Sequence, residues 1–183
     1  RHQVEFADSV KFAPHVVLFM LGTNDSKERH WLGAAAFREK LLSLLNSYSD
    51  LPTKPVIFIA APPPALPLPT DKNARKLHPS MLGGINASII AEDIKKVLME
   101  FVVSSEGAAM NVVPHLIDVF SVFSDVKDIA FANSAVESGE ASTKILAFKR
   151  VRRWLHDGVH PSIAGHQLIA KTFCRSTCPE AEC

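Results

Sequence analysis

Three short, unbroken apolar runs stand out along the chain, separated by longer segments of helical period. The first, Val16-Val17-Leu18-Phe19-Met20-Leu21, follows Pro14 and is closed by Gly22. The second, Val56-Ile57-Phe58-Ile59-Ala60-Ala61, follows Pro55 and is closed by Pro62-Pro63-Pro64. A third, weaker run spans residues 112–119 and contains Pro114, which has no N–H to give to a sheet ladder. Apolar character sustained over five or six residues predicts strands covered on both faces, as in parallel sheets. Between the runs, Phe37, Leu41, Leu44, Leu45 and Tyr48 recur at intervals of three and four, with Arg38, Glu39 and Lys40 on the opposite face. Ile85, Ile89, Ile94, Val97, Leu98 and Phe101 follow the same rule, and a last helix is expected from about Ser162 through Phe173. Strand and helix in alternation predict an α/β protein with a doubly wound parallel sheet. Residues 65–80 are Pro-rich and polar and read as a loop. Residues 125–141 carry little periodic signal and read as an insertion. The chain shows no internal repeat.

Composition narrows the function classes. The chain has 183 residues, and its 20 Lys and Arg balance 19 Asp and Glu to a net charge of +1. Ordinary apolar content with so little net charge argues against a disordered chain. It equally argues against nucleic acid or an anionic membrane surface as partner. The longest apolar run is far too short to cross a bilayer. Three cysteines do not make a disulfide framework, and Cys174, Cys178 and Cys183 are expected to be free thiols or to form one incidental bridge.

In a doubly wound sheet, ligands bind beyond the carboxyl ends of the strands, so the residues following each run carry the chemistry. Gly22-Thr23-Asn24-Asp25-Ser26 follows the first run. A glycine there lets the backbone turn sharply, and Asn24 has an amide that can meet a developing negative charge. The same residues also suit an ordinary Asn/Asp turn with capping. Asp157-Gly158-Val159-His160-Pro161-Ser162 precedes the last helix. Pro161 biases His160 to an extended backbone, and Asp157 can reach back to its Nδ1 and leave Nε2 as a base. The alternative is an Asp–His pair that only caps the helix. His156, His160 and His166 invite a metal reading, but Pro161 breaks any common helix, and no metal or cofactor is expected. Lys149, Arg150, Arg152 and Arg153 form a basic patch that is either a solvated helix face or an attraction for an anionic substrate. Trp31 suits either sugar stacking or packing.

Taken together, Gly22-x-Asn24-Asp25 after a strand and Asp157-x-x-His160 before the last helix resemble the SGNH (GDSL-type) esterase and lipase family. Pro14-His15-Val16-Val17-Leu18, Pro161 and Gly165 extend the likeness. More narrowly, Gly22 to Lys27, Trp31, Pro62-Pro63-Pro64 and Gly84-Ile85-Asn86 are similar to sialate O-acetylesterase-like members. The resemblance implies a three-layer flavodoxin-like fold and metal-free ester hydrolysis through a serine. By that resemblance His160 is the general base and Asp157 its orienting carboxylate. Gly22 and Asn24 contribute to the oxyanion hole, where losing one donor typically costs about 3–4 kcal/mol in the transition state. Asp25 becomes a structural support of the turn.

The family's Gly-Asp-Ser nucleophile block and its second, oxyanion-glycine block have no counterpart here. Ala7-Asp8-Ser9 echoes the first, yet Gly22 follows only thirteen residues after Ser9, too few for a complete β-α-β unit. Residues 4–12 read instead as a helix leading into Pro14, and the nucleophile stays unidentified. The chain opens at Arg1, and the expectation is a domain over residues 1–174 that lacks its first one or two strands, with an insertion at 125–155 and a cysteine-containing tail at 175–183. The run 16–21 would then lie at an open sheet edge, prone to pair with another copy. The expected activity is that of a serine ester hydrolase of carbohydrate O-acetylesterase type acting on a small-molecule or carbohydrate ester. Its rivals are an inactive pseudo-esterase that binds a sugar or protein, and a flavodoxin-like small-ligand binder.

Overall fold

The computed structural model describes residues 2–65, 84–138, 141–178, 180 and 182–183. Most of the Pro-rich stretch expected as a loop lies outside these residues. Helix α1 (His2–Lys11) leads into strand β1 (Val16–Met20), helix α2 (Ala34–Ser49) and strand β2 (Val56–Ala60). A π-helical stretch, Ile89–Ile94, runs on into α3 (Lys95–Val103) and is followed by the short α4 (Ser105–Ala109) and strand β3 (His115–Ile117). Helices α5 (Val119–Ser124), α6 (Lys127–Ser138), α7 (Ala141–Val151) and α8 (Ile163–Thr177) complete the described chain.

The three strands form one parallel sheet in the order β1-β2-β3, with Val16 opposite Val56 and Phe58 opposite His115. This is an α/β sheet flanked by helices, as the alternation of apolar runs and amphipathic segments predicts. Its core is built from Ile57 and Ile59 of β2, Leu41 and Leu45 of α2, Ile90 and Ile94 of the π-helical stretch, and Leu98 and Phe101 of α3. Burying side chains of this size contributes roughly 1.5–3 kcal/mol each. Tyr48 of α2 meets Phe19 of β1 and Phe6 of α1 edge-on, with ring centres 5.2 and 5.9 Å apart. These contacts seat α1 and α2 on the sheet face that carries Val17 and Phe19.

The opposite face is not closed over β1. Val16, Leu18 and Met20 alternate with the covered residues and remain 61, 50 and 39% exposed. Both-face coverage therefore holds for most of the central strand β2 and fails at β1, which is an edge of the described sheet. Residues 125–155 form the packed helix pair α6 and α7. The buried positions that hold this pair include Ile129, Ala132, Ala147 and Val151. Two of those four are alanines, and so small a residue gives almost no periodic signal.

Among the three cysteines, Cys174 of α8 is bridged to Cys183, while Cys178 is free and exposed. Helix α8 continues through Thr177, so the residues after 174 begin as helix. Among the described residues, no helix is long and apolar enough to cross a membrane.

Candidate active site

The loop between α7 and α8 is closed on itself by backbone pairing. His156 N–H donates to the His160 carbonyl at 2.9 Å, and Ser162 N–H donates to the Trp154 carbonyl at 2.9 Å. Leu155 and Pro161 form an isolated antiparallel bridge between these bonds. Gly158, at φ 87°, supplies the left-handed residue that the turn needs. The Ser162 hydroxyl donates to the Arg153 carbonyl and accepts the Gly165 N–H, so it caps α8 and ties the helix start to the incoming strand of the loop. Gly165 is indispensable to that closeness: a Cβ there would sit 2.2 Å from the Trp154 carbonyl oxygen.

Within this frame Asp157 and His160 meet as the sequence predicts. His160 Nδ1 lies 2.7 Å from Asp157 Oδ2. The other carboxylate oxygen accepts the backbone N–H groups of Val159 and His160 at 2.9 and 2.7 Å, an Asx-type turn that locks the carboxylate in place. An ionised carboxylate only accepts, so the short contact puts the imidazole proton on Nδ1 and leaves Nε2 with a free lone pair. The Asp157 side chain is 9% exposed and that of His160 is 66% exposed, which is the arrangement of a fixed support beneath an accessible base. His156 Nδ1 stands 3.7 Å from the same carboxylate oxygen.

His160 opens onto a shallow depression of about 610 Å³, lined also by Arg153, His156, Ser162 and the first turn of α8. Of the four cations at 149–153, Arg153 is the one that reaches this depression. Arg150 lies over the Phe131 ring instead, and Arg152 Nε donates to the His156 carbonyl. In the sequence the four read as one patch, and their different partners separate them. His166 faces its own helix start, Nδ1 at 2.9 Å from the Ser162 carbonyl. Among the described residues no three His, Cys, Asp or Glu side chains gather into a metal-holding group.

The second constellation sits at the carboxyl end of β1. Gly22 takes φ 118°, and its carbonyl accepts the Ser26 N–H at 2.9 Å. The turn is wedged tightly. A Cβ on Gly22 would lie 2.6 Å from Ile94 Cγ2 and 3.6 Å from Pro62 Cγ. Ser26 is fully buried and donates to the Thr23 carbonyl at 2.8 Å. Glu28 N–H donates to the Gly84 carbonyl and Asn86 N–H to the Ser26 carbonyl, both at 3.3 Å. The segments around Pro62 and Gly84 thus converge on one turn, and the role of Ile94 in it had no sequence signal beyond helical period. Asn24 is exposed, and its carbonyl accepts the His30 ring Nδ1 at 3.1 Å. Gly22 and Asn24 do not line the depression at His160; Asp25 borders a separate, minute crevice beside Trp31 and Lys40. Trp31 packs against Phe37, ring centres 6.1 Å apart, and joins the core margin.

A family model described as GDSL-like Lipase/Acylhydrolase matches residues 1–173. No curated protein and no solved structure matches the chain. The match spans the three strands, the turn at Gly22 and the Asp157–His160 loop alike. The chain belongs to the GDSL-like lipase/acylhydrolase family, a family of ester hydrolases.

Proposed function

We propose that the protein is a serine-dependent ester hydrolase of carbohydrate O-acetylesterase type, with His160 as base, Asp157 as its orienting partner, and Gly22 and Asn24 in the oxyanion hole. The observation that carries this reading is the 2.7 Å contact between His160 Nδ1 and Asp157 Oδ2 over a carboxylate already held by two backbone amides. That geometry does what a general base requires: it fixes the tautomer, restrains the ring and leaves Nε2 accessible. The O-acetyl preference is supported by the convergence of Pro62, Gly84 and Asn86 on the Gly22 turn, since these segments carry the likeness to sialate O-acetylesterase-like members.

In the proposed reaction a serine Oγ adds to the acyl carbonyl while its proton passes to His160 Nε2. The carbonyl oxygen becomes an oxyanion met by the Asn24 amide and backbone N–H groups at the β1 turn. The tetrahedral centre collapses, the C–O bond to the sugar breaks, and His160 returns the proton to the departing hydroxyl. Water then adds to the acyl-serine with His160 again taking a proton, and the carboxylic acid leaves as serine is restored. Asp157 remains ionised throughout.

Ser162, the serine at the depression, has its hydroxyl engaged at the α8 start on the Arg153 carbonyl and the Gly165 N–H, and Ser9 donates to the Phe6 carbonyl and meets the Tyr48 hydroxyl. The proposed nucleophile is the serine of the family's Gly-Asp-Ser block, which by the resemblance would lie on a strand that pairs with the open edge of β1. Pairing of that edge with a second copy is the competing occupancy. The test is labelling of the protein as it is encoded with a fluorophosphonate probe. The reading expects one serine to be modified. Complete resistance to the probe would instead favour a pseudo-esterase that binds through the depression without turning over.

A further inference from the structure

We infer that Asn86 is an N-glycosylation site, which takes an oligosaccharide on Nδ2 while its Oδ1 goes on capping a helix. The pattern Asn-x-Ser, the acceptor for N-linked sugar, occurs at Asn24-Asp25-Ser26 and at Asn86-Ala87-Ser88. The fold leaves different groups available at the two. Asn86 Oδ1 accepts the N–H groups of Ser88 at 3.0 Å and Ile89 at 3.3 Å, and the Asn86 carbonyl accepts the Ile90 N–H at 3.3 Å. These bonds make Asn86 the N-cap of the helical run that leads through Ile89–Ile94 into α3. Only the oxygen of a carboxamide accepts, so the same bonds fix which atom faces the backbone and turn Nδ2 away from it. Among the described residues nothing accepts from Nδ2, and the Ser88 hydroxyl is likewise without a partner. Ser88 is exposed, and so is Gly84 two residues before Asn86, which gives a bulky sugar the surface position it needs.

At the other position Ser26 is fully buried and its hydroxyl donates to the Thr23 carbonyl at 2.8 Å, so the folded turn offers no Asn–Ser pair. The Cys174–Cys183 bridge agrees with the assignment. Disulfides persist in the oxidising compartments of the secretory route, and N-linked sugar is added to chains on that same route. The step is a glycosyl transfer from a lipid-pyrophosphate-linked oligosaccharide. Asn86 Nδ2 adds to the anomeric carbon of the terminal N-acetylglucosamine, and the bond from that carbon to the pyrophosphate oxygen breaks. Nδ2 gives up one proton and the lipid pyrophosphate leaves, with no oxidant or reductant involved. Oδ1 keeps its lone pairs, so the helix cap survives the modification. None of this depends on the esterase reading.

The experiment is digestion of the whole protein, purified from the cells that make it, with a peptide N-glycosidase, an amidase that frees the sugar and leaves aspartate at the acceptor position. A loss of apparent mass on a gel is expected, together with conversion of residue 86 to aspartate in the peptide mass spectrum. S88A keeps the Asn86 cap and removes the acceptor pattern, so it should abolish the mass loss. An unchanged thermal melt of S88A excludes misfolding as the cause. N24Q should retain the full mass loss. Absence of any mass loss in the native protein overturns the proposal. So does a mass loss that persists in S88A, or conversion at residue 24 in place of residue 86.

Discussion

At the scale of single residues, the turn after β1 depends on Gly22, which has no room for a side chain. Gly22 combines φ 118° with a Cβ position 2.6 Å from Ile94 Cγ2, the branched and therefore inflexible end of a buried side chain. Gly84 also has a positive φ, 73°, but nothing lies within 4 Å of its Cβ position. Gly22→Ala is expected to destabilise the fold by roughly 2–5 kcal/mol, combining backbone strain with overpacking. Gly84→Ala should cost about 1–2 kcal/mol, for the left-handed backbone alone. Urea melts of the two variants check this, and equal losses would show that crowding by Ile94 is not what holds the turn. The sequence placed a glycine at a strand exit, and so a turn, but the crowding was invisible in it, because Pro62 and Ile94 reach Gly22 only in three dimensions. Asp157 and His160 were legible for the opposite reason: a three-residue spacing ahead of Pro161 is a local geometry. Arg153 is separable from its cationic neighbours only by its partners, the Trp154 ring for Arg153 against the Phe131 ring for Arg150 and the His156 carbonyl for Arg152.

At the scale of elements, β3 passes into α5 through a charged knot. Asp118 accepts the Ser121 N–H at 2.9 Å and the Ser121 hydroxyl at 2.6 Å, while Lys95 of α3 lies 3.5 Å from the same carboxylate and 2.7 Å from the Ser121 hydroxyl. Burial alone would raise the Asp118 carboxyl, but the Ser121 hydroxyl and amide together with the Lys95 ammonium outweigh it and hold it below its ordinary 3.8. A carboxyl depressed in the folded state stabilises the fold above its unfolded value, and loses that contribution as pH falls through the folded one. Asp118→Asn should therefore be less stable than the native protein by a constant margin above about pH 5, with the gap closing as pH drops below about 4. Chemical denaturation across that range is the measurement, and a gap independent of pH would contradict the assignment. This knot joins α3 to the β3–α5 junction. The elements themselves were legible to different degrees. β1, β2, α2 and α8 were marked by large apolar residues at clear periods, whereas α6 and α7 hid behind alanines. The π-helical stretch at Ile89–Ile94 breaks the 3.6-residue period without interrupting the apolar run, so the sequence reads it as plain helix.

At the scale of the whole molecule, the sheet of the described residues is covered by helices on one face of β1 and exposed on the other. α1 and α2 cover Val17 and Phe19, while Val16, Leu18 and Met20 stay exposed on the reverse of the same edge strand. A strand that pairs with β1 and a helix that covers those three side chains would complete the sheet and bring a third group to the carboxyl ends of the strands, where the Gly22 turn lies. The supports of the two constellations belong to different parts of that surface: the proposed oxyanion turn leaves β1, and α8 packs beside β3, two strand spacings or about 10 Å across the sheet. The central claim concerns His160 as a reacting group and not as a helix cap. The direct measurement is kcat/KM for hydrolysis of an acetyl ester by the encoded protein and its His160→Ala variant, with folding of both verified by their melts. The account predicts a fall of about 100- to 10,000-fold, the usual contribution of a positioned acid–base group. Unchanged turnover in a folded His160→Ala variant would contradict it.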